Sequence, residues 1–324
     1  MKLYSLEEVH AIIHQQLEDY QNSRQTDIER PIQYILSLGG KRIRPALTLL
    51  ASNLFSDDIT QALHPALAIE VFHNFTLMHD DIMDNAPLRR GMPTVHEKWN
   101  RDTAILSGDA MLIQSYELLI QTPASYLSQI LPVFNRTAME VCIGQQMDMD
   151  FQHRRDVSIE EYLEMIRLKT SVLLAGAMEI GAWVGGSSKE DAKHLYDFGV
   201  HLGVAFQLWD DYLDAFGDPA MTGKQPGGDI LADKKTFLHI TALHRASPSQ
   251  LQRLNDWHGQ TADQEKKVKE MTSLYRELGV DQALEENAQK LHREALQALN
   301  AVSVNQDHKQ PLLQLAEFLL NRKH

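Results

Sequence analysis

The chain reads HDDIMDNAPLRRG from His79 to Gly91, directly after the apolar segment EVFHNFTLM. Asp80, Asp81 and Asp84 stand at positions i, i+1 and i+4, so a helix places Asp80 and Asp84 one turn apart on the same side. Like charges at this spacing destabilise a helix unless a cation lies among them. Because Mg²⁺ takes oxygen ligands from carboxylates and substrate phosphates, the pattern predicts a metal site at a helix end.

The same acidic pattern occurs a second time, in FQLWDDYLD. Asp210, Asp211 and Asp214 follow the apolar run GVAF. A single acidic triplet has an ordinary alternative explanation as a solvated helix face. Two identical triplets that each end an apolar helix favour metal binding instead. We expect the two motifs to face each other across a cavity and to hold several Mg²⁺ ions.

Two basic segments flank the first acidic motif. GGKRIRP places Lys41 and Arg44 at the start of a predicted helix, where the helix dipole disfavours cations and favours an anion. Arg89 and Arg90 follow the motif, and guanidinium groups bind phosphate oxygens in bidentate fashion. Both segments therefore predict a phosphate ligand, although an exposed basic loop is the alternative for the first.

Further polar residues interrupt the apolar helices. His73 precedes Asp80 by two turns on nearly the same face, although a histidine there is as easily a core residue. Lys169, in LKT, needs a partner if it is buried, and an anionic substrate is one candidate. The loop GDPAMTGKQPGGDILADKKTF, with Lys224 and Lys234, is typical of a flap that closes over phosphate, although solvated lysines are the alternative.

Composition limits the possible functions. The 324 residues carry a net charge of −13, which argues against nucleic-acid binding. One cysteine, Cys142, excludes an internal disulfide and is more typical of buried filler than of a nucleophile. The N-terminus lacks the features of a signal peptide, and no apolar run is long enough to span a membrane. We expect a cytoplasmic protein with a single domain over residues 1–324.

Helical spacing dominates the chain and predicts an all-α fold, a single large helical bundle around a deep central cavity. The segment DQEKKVKEMTSLYRELG is typical of a surface helix. The main predicted helices lie at about 5–20, 28–38, 65–84, 102–121, 124–151, 158–185 and 188–217.

Five blocks in this order together resemble the trans-isoprenyl diphosphate synthases, also called the polyprenyl synthetase family. They are GGKRIRP; HNFTLMHDDIMD with LRRG; GQQMD; LKT; and FQLWDDYLD followed by GKQPGGDI and DKKT. The resemblance covers about residues 35–240. It implies the isoprenoid synthase fold, a homodimer, and condensation of isopentenyl diphosphate with an allylic diphosphate (dimethylallyl, geranyl or farnesyl).

The resemblance also implies roles for individual residues. It makes Asp80, Asp84 and Asp210 direct ligands of three Mg²⁺ ions, supported by Asp81, Asp211 and Asp214. It assigns the allylic diphosphate to Arg89, Lys169, Gln207 and Lys224, with Lys234 on the closing loop. It assigns isopentenyl diphosphate to Lys41, Arg44, His73 and Arg90. Thr170, Phe206 and Gln207 would face the allylic cation. The chain departs from the family at Asp233, where the loop normally carries glycine.

The length of the product should depend on residues before the first motif. Phe75 occupies the fifth position before Asp80, where an aromatic residue blocks the product tunnel in the family. Thr76 is smaller than the aromatic residue of some farnesyl synthases, and Phe72 lies a turn further. This combination favours geranylgeranyl diphosphate, with twenty carbons; farnesyl diphosphate is the alternative, and longer products are less favoured. These aromatic residues would also suit plain core packing.

Other functions explain these residues less well. A terpene cyclase shares a first acidic motif but usually pairs it with an Asn/Ser/Glu motif. An inactive partner subunit should have lost one triplet, whereas both are intact here. A metal-buffering helical protein would explain the carboxylates but not the aligned cations. The residues therefore favour a condensing prenyltransferase.

Overall fold

The computed structural model describes residues 2–154, 156–217 and 227–320, and the predicted all-α fold is confirmed. The helices are α1 (Leu6–Asn22), α2 (Glu29–Ser37), α3 (Ile43–Asn53), α4 (Leu63–Met83), α5 (Val95–Lys98), α6 (Arg101–Leu119), α7 (Ala124–His153), α8 (Ile159–Ile166), α9 (Val172–Gly185), α10 (Lys189–Phe216), α11 (Gly228–Leu231), α12 (Phe237–Arg245), α13 (Pro248–Trp257), α14 (Gln264–Glu277), α15 (Val280–Ala301) and α16 (Gln306–Leu320).

Shorter elements connect some of these helices. A 3₁₀ turn (Thr60–Ala62) precedes α4, and a π-helical segment (Arg167–Ser171) joins α8 to α9. Two strands, β1 (Leu88–Arg89) and β2 (Met92–Pro93), pair antiparallel; they are the only strands among the described residues.

Side-chain caps explain where several helices begin. Ser5 accepts a hydrogen bond from the Glu8 amide, and Glu8 reaches back to the Ser5 amide, which completes a capping box. Ser158 and Glu161 form the same arrangement before α8. The Asn100 side chain accepts from the Thr103 amide at the start of α6. Local sequence thus defines these helix starts independently of tertiary contacts.

The described residues form two compact units. The first contains the chain up to Ala138 together with Leu173–Tyr196 and Leu299–Leu315. The second contains Met139–Val172, Asp197–Ala298 and the chain from Ala316. The single domain over residues 1–324 stays a prediction.

In the first unit, glycines allow helix α9 to approach helix α3 closely. A Cβ atom at Gly181 would lie 2.1 Å from the Thr48 carbonyl oxygen, and one at Gly185 would lie 2.5 Å from that of Ser52. Gly181 and Gly185 are one helical turn apart on α9, and Thr48 and Ser52 are one turn apart on α3. Helix α4 lies in the same unit and is buried along most of its length, which places its carboxyl end, with the first acidic motif, on a rigid support.

In the second unit, glycines bring α7 and α10 against the π-helical segment. A Cβ atom at Gly144 would lie 2.3 Å from the Lys169 amide nitrogen, and one at Gly203 would lie 2.6 Å from Cβ of Ser171. Sequence periodicity predicts one continuous helix over 158–185, whereas the structure inserts the π-helical turn at LKT. Such π-helical turns are frequent at functional sites because they turn side chains away from the regular helical positions.

Candidate functional site

The first acidic motif ends helix α4, and its middle carboxylate is bound by the protein itself. Asp81 is only 2% exposed. Arg89 donates from Nε to Asp81 Oδ2 and from Nη2 to Oδ1, both at 2.7 Å. This bidentate pair is the strong geometry for arginine and carboxylate. Asp80 is partly exposed and Asp84 is exposed, so the outer two carboxylates are the ones open to a ligand.

A tight hairpin brings Arg89 back to helix α4. Arg90 and Gly91 connect β1 to β2 with φ angles of 54° and 77°, the left-handed pair that a two-residue hairpin turn requires. Arg90 donates to the Gly39 carbonyl oxygen. A Cβ atom at Gly40 would lie 2.7 Å from Nη2 of Arg90, so the GG of GGKRIRP leaves room for this guanidinium.

Arginines surround a neutral histidine in the same unit. Nη1 of Arg44 lies 3.0 Å from Nε2 of His73. Because a guanidinium can only donate, Nε2 must accept, and the imidazole proton is on Nδ1. Burial lowers the pKa of His73 well below its usual value, and the charges of Arg44 and Arg90 lower it further. His73 therefore stays neutral and adds no charge to the cluster.

Glu70 is a buried counterion for the arginines Arg42, Arg44 and Arg90. Arg42 pairs with Glu70, which is 2% exposed, and the Asn74 amide donates to Glu70 Oε1 at 2.9 Å. Burial lowers the pKa of Arg44 to about 10, which still leaves the guanidinium charged at neutral pH. The buried Nε of Arg44 has no hydrogen-bond partner among the described residues. An unpaired buried donor beside positive charge is the environment that an anion completes.

Lys41, the first basic residue of GGKRIRP, is exposed just before helix α3. It precedes Arg42, whose left-handed φ of 45° begins that helix. The structure thus pairs Arg44 with His73, brings Arg90 close enough for its charge to lower the pKa of His73, and places Lys41 on the loop before α3.

The second acidic motif, on α10 in the second unit, is also anchored by its middle residue. The Tyr162 hydroxyl donates to Asp211 Oδ2, and Gln207 Nε2 lies 3.4 Å from Oδ1. Burial raises the pKa of the Asp211 carboxyl to about 8, and the hydrogen bond from Tyr162 opposes this rise. The charges of Asp229 and Asp210 raise it further, so a cation would relieve this crowding of carboxylates.

The segment after the motif folds back on Asp214. The Asp229 amide donates to Asp214 Oδ2 at 2.9 Å. Lys234 places its ammonium 3.0 Å from Asp229 Oδ1, with 62% of its side chain exposed. Lys234 thus lies beside the carboxylates of the second motif. Lys224 lies outside the described residues.

The π-helical turn presents the residues of LKT. Lys169 donates to Asp148 Oδ2 at 2.6 Å, so its charge is compensated within the protein. Thr170 Oγ1 lies 3.5 Å from Gln207 Oε1, and Phe206 is partly exposed on the same helix as Gln207. These four predicted residues therefore belong to the same unit as the second motif.

Sequence reasoning did not assign roles to several partners. Tyr162 and Glu70 carry no motif signal, and they emerge only from their contacts with Asp211 and Arg42. Asp148 lies within the GQQMD block, where the sequence leaves its orientation open. Asp229 lies within GKQPGGDI, a block that the sequence identifies, but its contact with Lys234 is visible only in the structure.

Within the part of the chain that the structure describes, no group of three or more His, Cys, Asp or Glu side chains converges as a ready metal site. Mg²⁺ is held in proteins by one or two carboxylates and is completed by substrate phosphates and water. The outer carboxylates of the two motifs supply such oxygen donors. The donor set therefore fits Mg²⁺ bound together with a diphosphate.

An aromatic row lies beneath the first motif. Phe72 and Phe75 have ring centroids 5.4 Å apart, and Phe72 also lies 5.2 Å from Phe134. His79 stacks edge-on against Phe75 at 4.8 Å. Thr76 donates its hydroxyl to the His73 carbonyl oxygen at 2.8 Å. Phe75 is thus held on both sides by rings, directly below the carboxylates.

The described helices include none that is long and apolar enough to cross a membrane.

Comparisons with known proteins identify the family of the chain. The polyprenyl synthetase profile matches residues 25–275. The short chain isoprenyl diphosphate synthase of Methanothermobacter thermautotrophicus is 38% identical over 296 residues, 91% of this chain and 90% of that protein. A crystal structure of a geranylgeranyl pyrophosphate synthase is 40% identical, with 99% of this chain and 100% of that chain covered and a TM-score of 0.93.

A geranylgeranyl pyrophosphate synthase from Corynebacterium glutamicum, solved with isoprenyl diphosphate and magnesium, is also similar. It is 29% identical, with 98% of each chain covered and a TM-score of 0.85. The profile spans well over half of the chain, and the archaeal relative is matched over nearly its whole length. The chain belongs to the polyprenyl synthetase family.

Proposed function

We propose that this trans-prenyltransferase condenses isopentenyl diphosphate with an allylic diphosphate and releases geranylgeranyl diphosphate. The observation that carries the proposal is the arginine cluster around neutral His73, which gathers positive charge and an unpaired Arg44 donor beside a carboxylate motif. Such a site suits the diphosphate of isopentenyl diphosphate, which would be bound by cations alone, beside a carboxylate motif that binds the allylic diphosphate through metal. The cytoplasmic location stays a prediction.

The allylic diphosphate would be held by both acidic motifs through Mg²⁺. Asp80, Asp84 and Asp210 are the proposed ligands of three ions, with Asp81, Asp211 and Asp214 in support. The burial of Asp81 and Asp211, which are 2% and 4% exposed, supports this division, because Asp80, Asp84 and Asp210 are more accessible to a metal ion. Metal ions, when bound, would neutralise charge on the departing diphosphate.

The first chemical step is cleavage of the allylic C–O bond, with the bonding electrons leaving on the diphosphate. Arg89, Lys169 and Lys234 would stabilise this charge, with Gln207 and Lys224 as further contacts. Arg89 and Lys169 are already held in place by Asp81 and Asp148. Their ammonium and guanidinium groups therefore need little reorganisation when negative charge develops.

The second step joins the two substrates. Lys41, Arg44, His73 and Arg90 would hold isopentenyl diphosphate while its double bond attacks the allylic cation. Loss of one proton from the resulting cation, to the departing diphosphate, restores a double bond. Thr170, Phe206 and Gln207 would face the cation with their dipoles and ring, and exclusion of water protects the cation from hydrolysis.

Chain growth would stop at Phe75. Its ring is 9% exposed and is wedged between Phe72 and His79, so it cannot move aside without displacing other rings. The small Thr76 next to it leaves more room than an aromatic residue would. This arrangement supports a twenty-carbon product over the fifteen carbons of farnesyl diphosphate.

A homodimer is proposed from the exposed apolar residues of helix α6 and its end. Leu106, Ile113 and Ile120 recur every seven residues and are each about 60% exposed. Met139 and Ile143 expose a similar face on α7, at 63% and 46%. Exposed apolar residues of this kind mark a protein interface, and a second copy would bury those of α6 by two-fold symmetry.

We expect Asp80→Ala or Asp210→Ala to reduce turnover by at least about a thousandfold, because each removes a proposed metal ligand. Initial rates with saturating Mg²⁺ and both substrates would measure the effect. Asp256→Ala, which removes an exposed carboxylate from α13, is the matched control and should keep full activity. Full activity in either motif variant would contradict the metal role.

Phe75→Ala should lengthen the product, because the truncation opens space beneath the first motif. Mass analysis of the prenyl products would show chains beyond twenty carbons. Phe318→Ala truncates a ring that is 52% exposed on α16 and serves as the control. An unchanged product distribution in Phe75→Ala would exclude this ring as the floor.

Ile113→Glu should convert the dimer to a monomer, since it places a charge at the centre of the proposed interface. Sedimentation velocity would give the mass of the species in solution. Leu251→Glu, at an apolar residue that is 38% exposed on α13, should leave the mass unchanged. A dimer that persists in Ile113→Glu would place the interface elsewhere.

A further inference from the structure

Asp233 adopts a backbone conformation that ordinarily calls for glycine. Its φ angle is 51°, in the left-handed region that costs free energy for any residue with a side chain. Its amide donates to the Ile230 carbonyl oxygen at 3.2 Å, which closes the turn after helix α11. A glycine would adopt this conformation without strain. The aspartate therefore needs a compensating interaction.

An ion pair with a buried lysine supplies this compensation. Lys267, on helix α14, donates to Asp233 Oδ1 at 2.7 Å, and its side chain is only 1% exposed. The Gly259 amide donates to the other carboxylate oxygen at 3.0 Å. Both oxygens of Asp233 are thus bound by groups from a different part of the chain. The side chain has almost no freedom to rotate.

The next residue continues this chain of contacts to the second acidic motif. The Lys234 amide donates to the Asp229 carbonyl oxygen at 2.9 Å, and its ammonium lies 3.0 Å from Asp229 Oδ1. Asp229 in turn donates its amide to Asp214 Oδ2. An unbroken series of contacts therefore runs from Lys267 through Asp233 and Lys234 to Asp214.

The ion pair has a simpler explanation as a tether for helix α14. Burying a lysine ammonium costs several kcal/mol of desolvation, and an apolar residue of similar volume would pack α14 at least as well. An apolar residue could not hold the carboxylate that precedes Lys234. The ion pair between Asp233 and Lys267 is therefore better explained by its effect on the backbone turn at Asp233 than by the packing of α14 alone.

We infer that Asp233 is a positioning residue for Lys234. Its ion pair with the buried Lys267 fixes the left-handed turn and so holds the Lys234 ammonium at the second acidic motif before substrate binds. This inference rests on the proposed function, in which Lys234 stabilises the departing diphosphate. A glycine would leave the turn free to adopt other conformations, whereas Asp233 and Lys267 hold it in the one described here. Less ordering is then needed when diphosphate binds.

The test is a double-mutant cycle on kcat. Asp233→Gly keeps the backbone conformation accessible and removes the carboxylate, and we expect kcat to fall about tenfold because Lys234 is no longer oriented. In the Lys234→Ala background the same substitution should cause no further loss, because Asp233 acts through Lys234. Asp233→Asn, which tolerates the left-handed turn but lacks the charge, should lose less activity than Asp233→Gly.

A matched pair of lysine variants separates positioning from stability. Lys267→Met should lower kcat as Asp233→Gly does. Lys309→Met removes a different buried lysine, which is 2% exposed and donates to the Asn300 carbonyl oxygen, and should leave kcat unchanged. Thermal melting would give the unfolding temperature of every variant. A loss of kcat that is measured well below that temperature, where the variant is folded, is then assigned to the site and not to unfolding.

Each outcome decides between the claims. If Lys234→Ala is impaired but Asp233→Gly and Lys267→Met are not, the positioning role is wrong and the proposed function stands. If the losses of Asp233→Gly and Lys234→Ala multiply in the double variant, Asp233 acts independently of Lys234 and the inference is overturned. If Lys234→Ala is fully active, the proposed role of Lys234 fails and the inference fails with it.

Discussion

The bidentate ion pair between Arg89 and Asp81 shows the constraint on which the site depends. Side chains of like charge can lie close together only if other groups of the protein neutralise some of them. Three carboxylates in five residues repel one another. The protein buries the middle one and binds it to an arginine, which leaves Asp80 and Asp84 at the more exposed positions. In the second motif the middle residue, Asp211, is also buried, but it accepts a hydrogen bond from the neutral Tyr162 hydroxyl, and burial raises its pKa to about 8. In both motifs the anchored residue orients the helix end, while the outer residues lie nearer the solvent.

The cationic groups follow the same rule with the signs reversed. Arg42 is neutralised by buried Glu70, whereas Arg44 and Arg90 surround a histidine that stays neutral because burial and their own charges lower its pKa. Lys169 is paired with Asp148. Positive charge is thus concentrated but held in defined positions, and electrostatic stabilisation of a leaving diphosphate requires such fixed charges. Under the proposed function, binding of a diphosphate would replace repulsion among these cations by attraction.

Much of this arrangement could be predicted from the sequence. Spacing of 3.6 residues predicts the helices to within a few residues, as for α1 and α10, because periodicity directly reflects which face is buried. The two acidic motifs, GGKRIRP and LRRG are likewise local patterns. Tyr162 could not be assigned, since its partner Asp211 is 49 residues away and a lone tyrosine carries no pattern. Lys267 stands in a segment whose composition predicts a surface helix, yet it is buried because Asp233 provides a counterion. The π-helical turn at Lys169 has no periodic signature at all.

The most direct measurement is the identity of the product. Purified protein would be incubated with isopentenyl diphosphate and, in separate reactions, dimethylallyl, geranyl or farnesyl diphosphate, with Mg²⁺ or with a chelator, followed by mass analysis. Our account predicts elongation of every primer to a common twenty-carbon diphosphate that requires the divalent metal. A ladder that ends at fifteen carbons would contradict the assigned floor. No elongation of any primer, or release of a cyclic hydrocarbon, would contradict condensation itself.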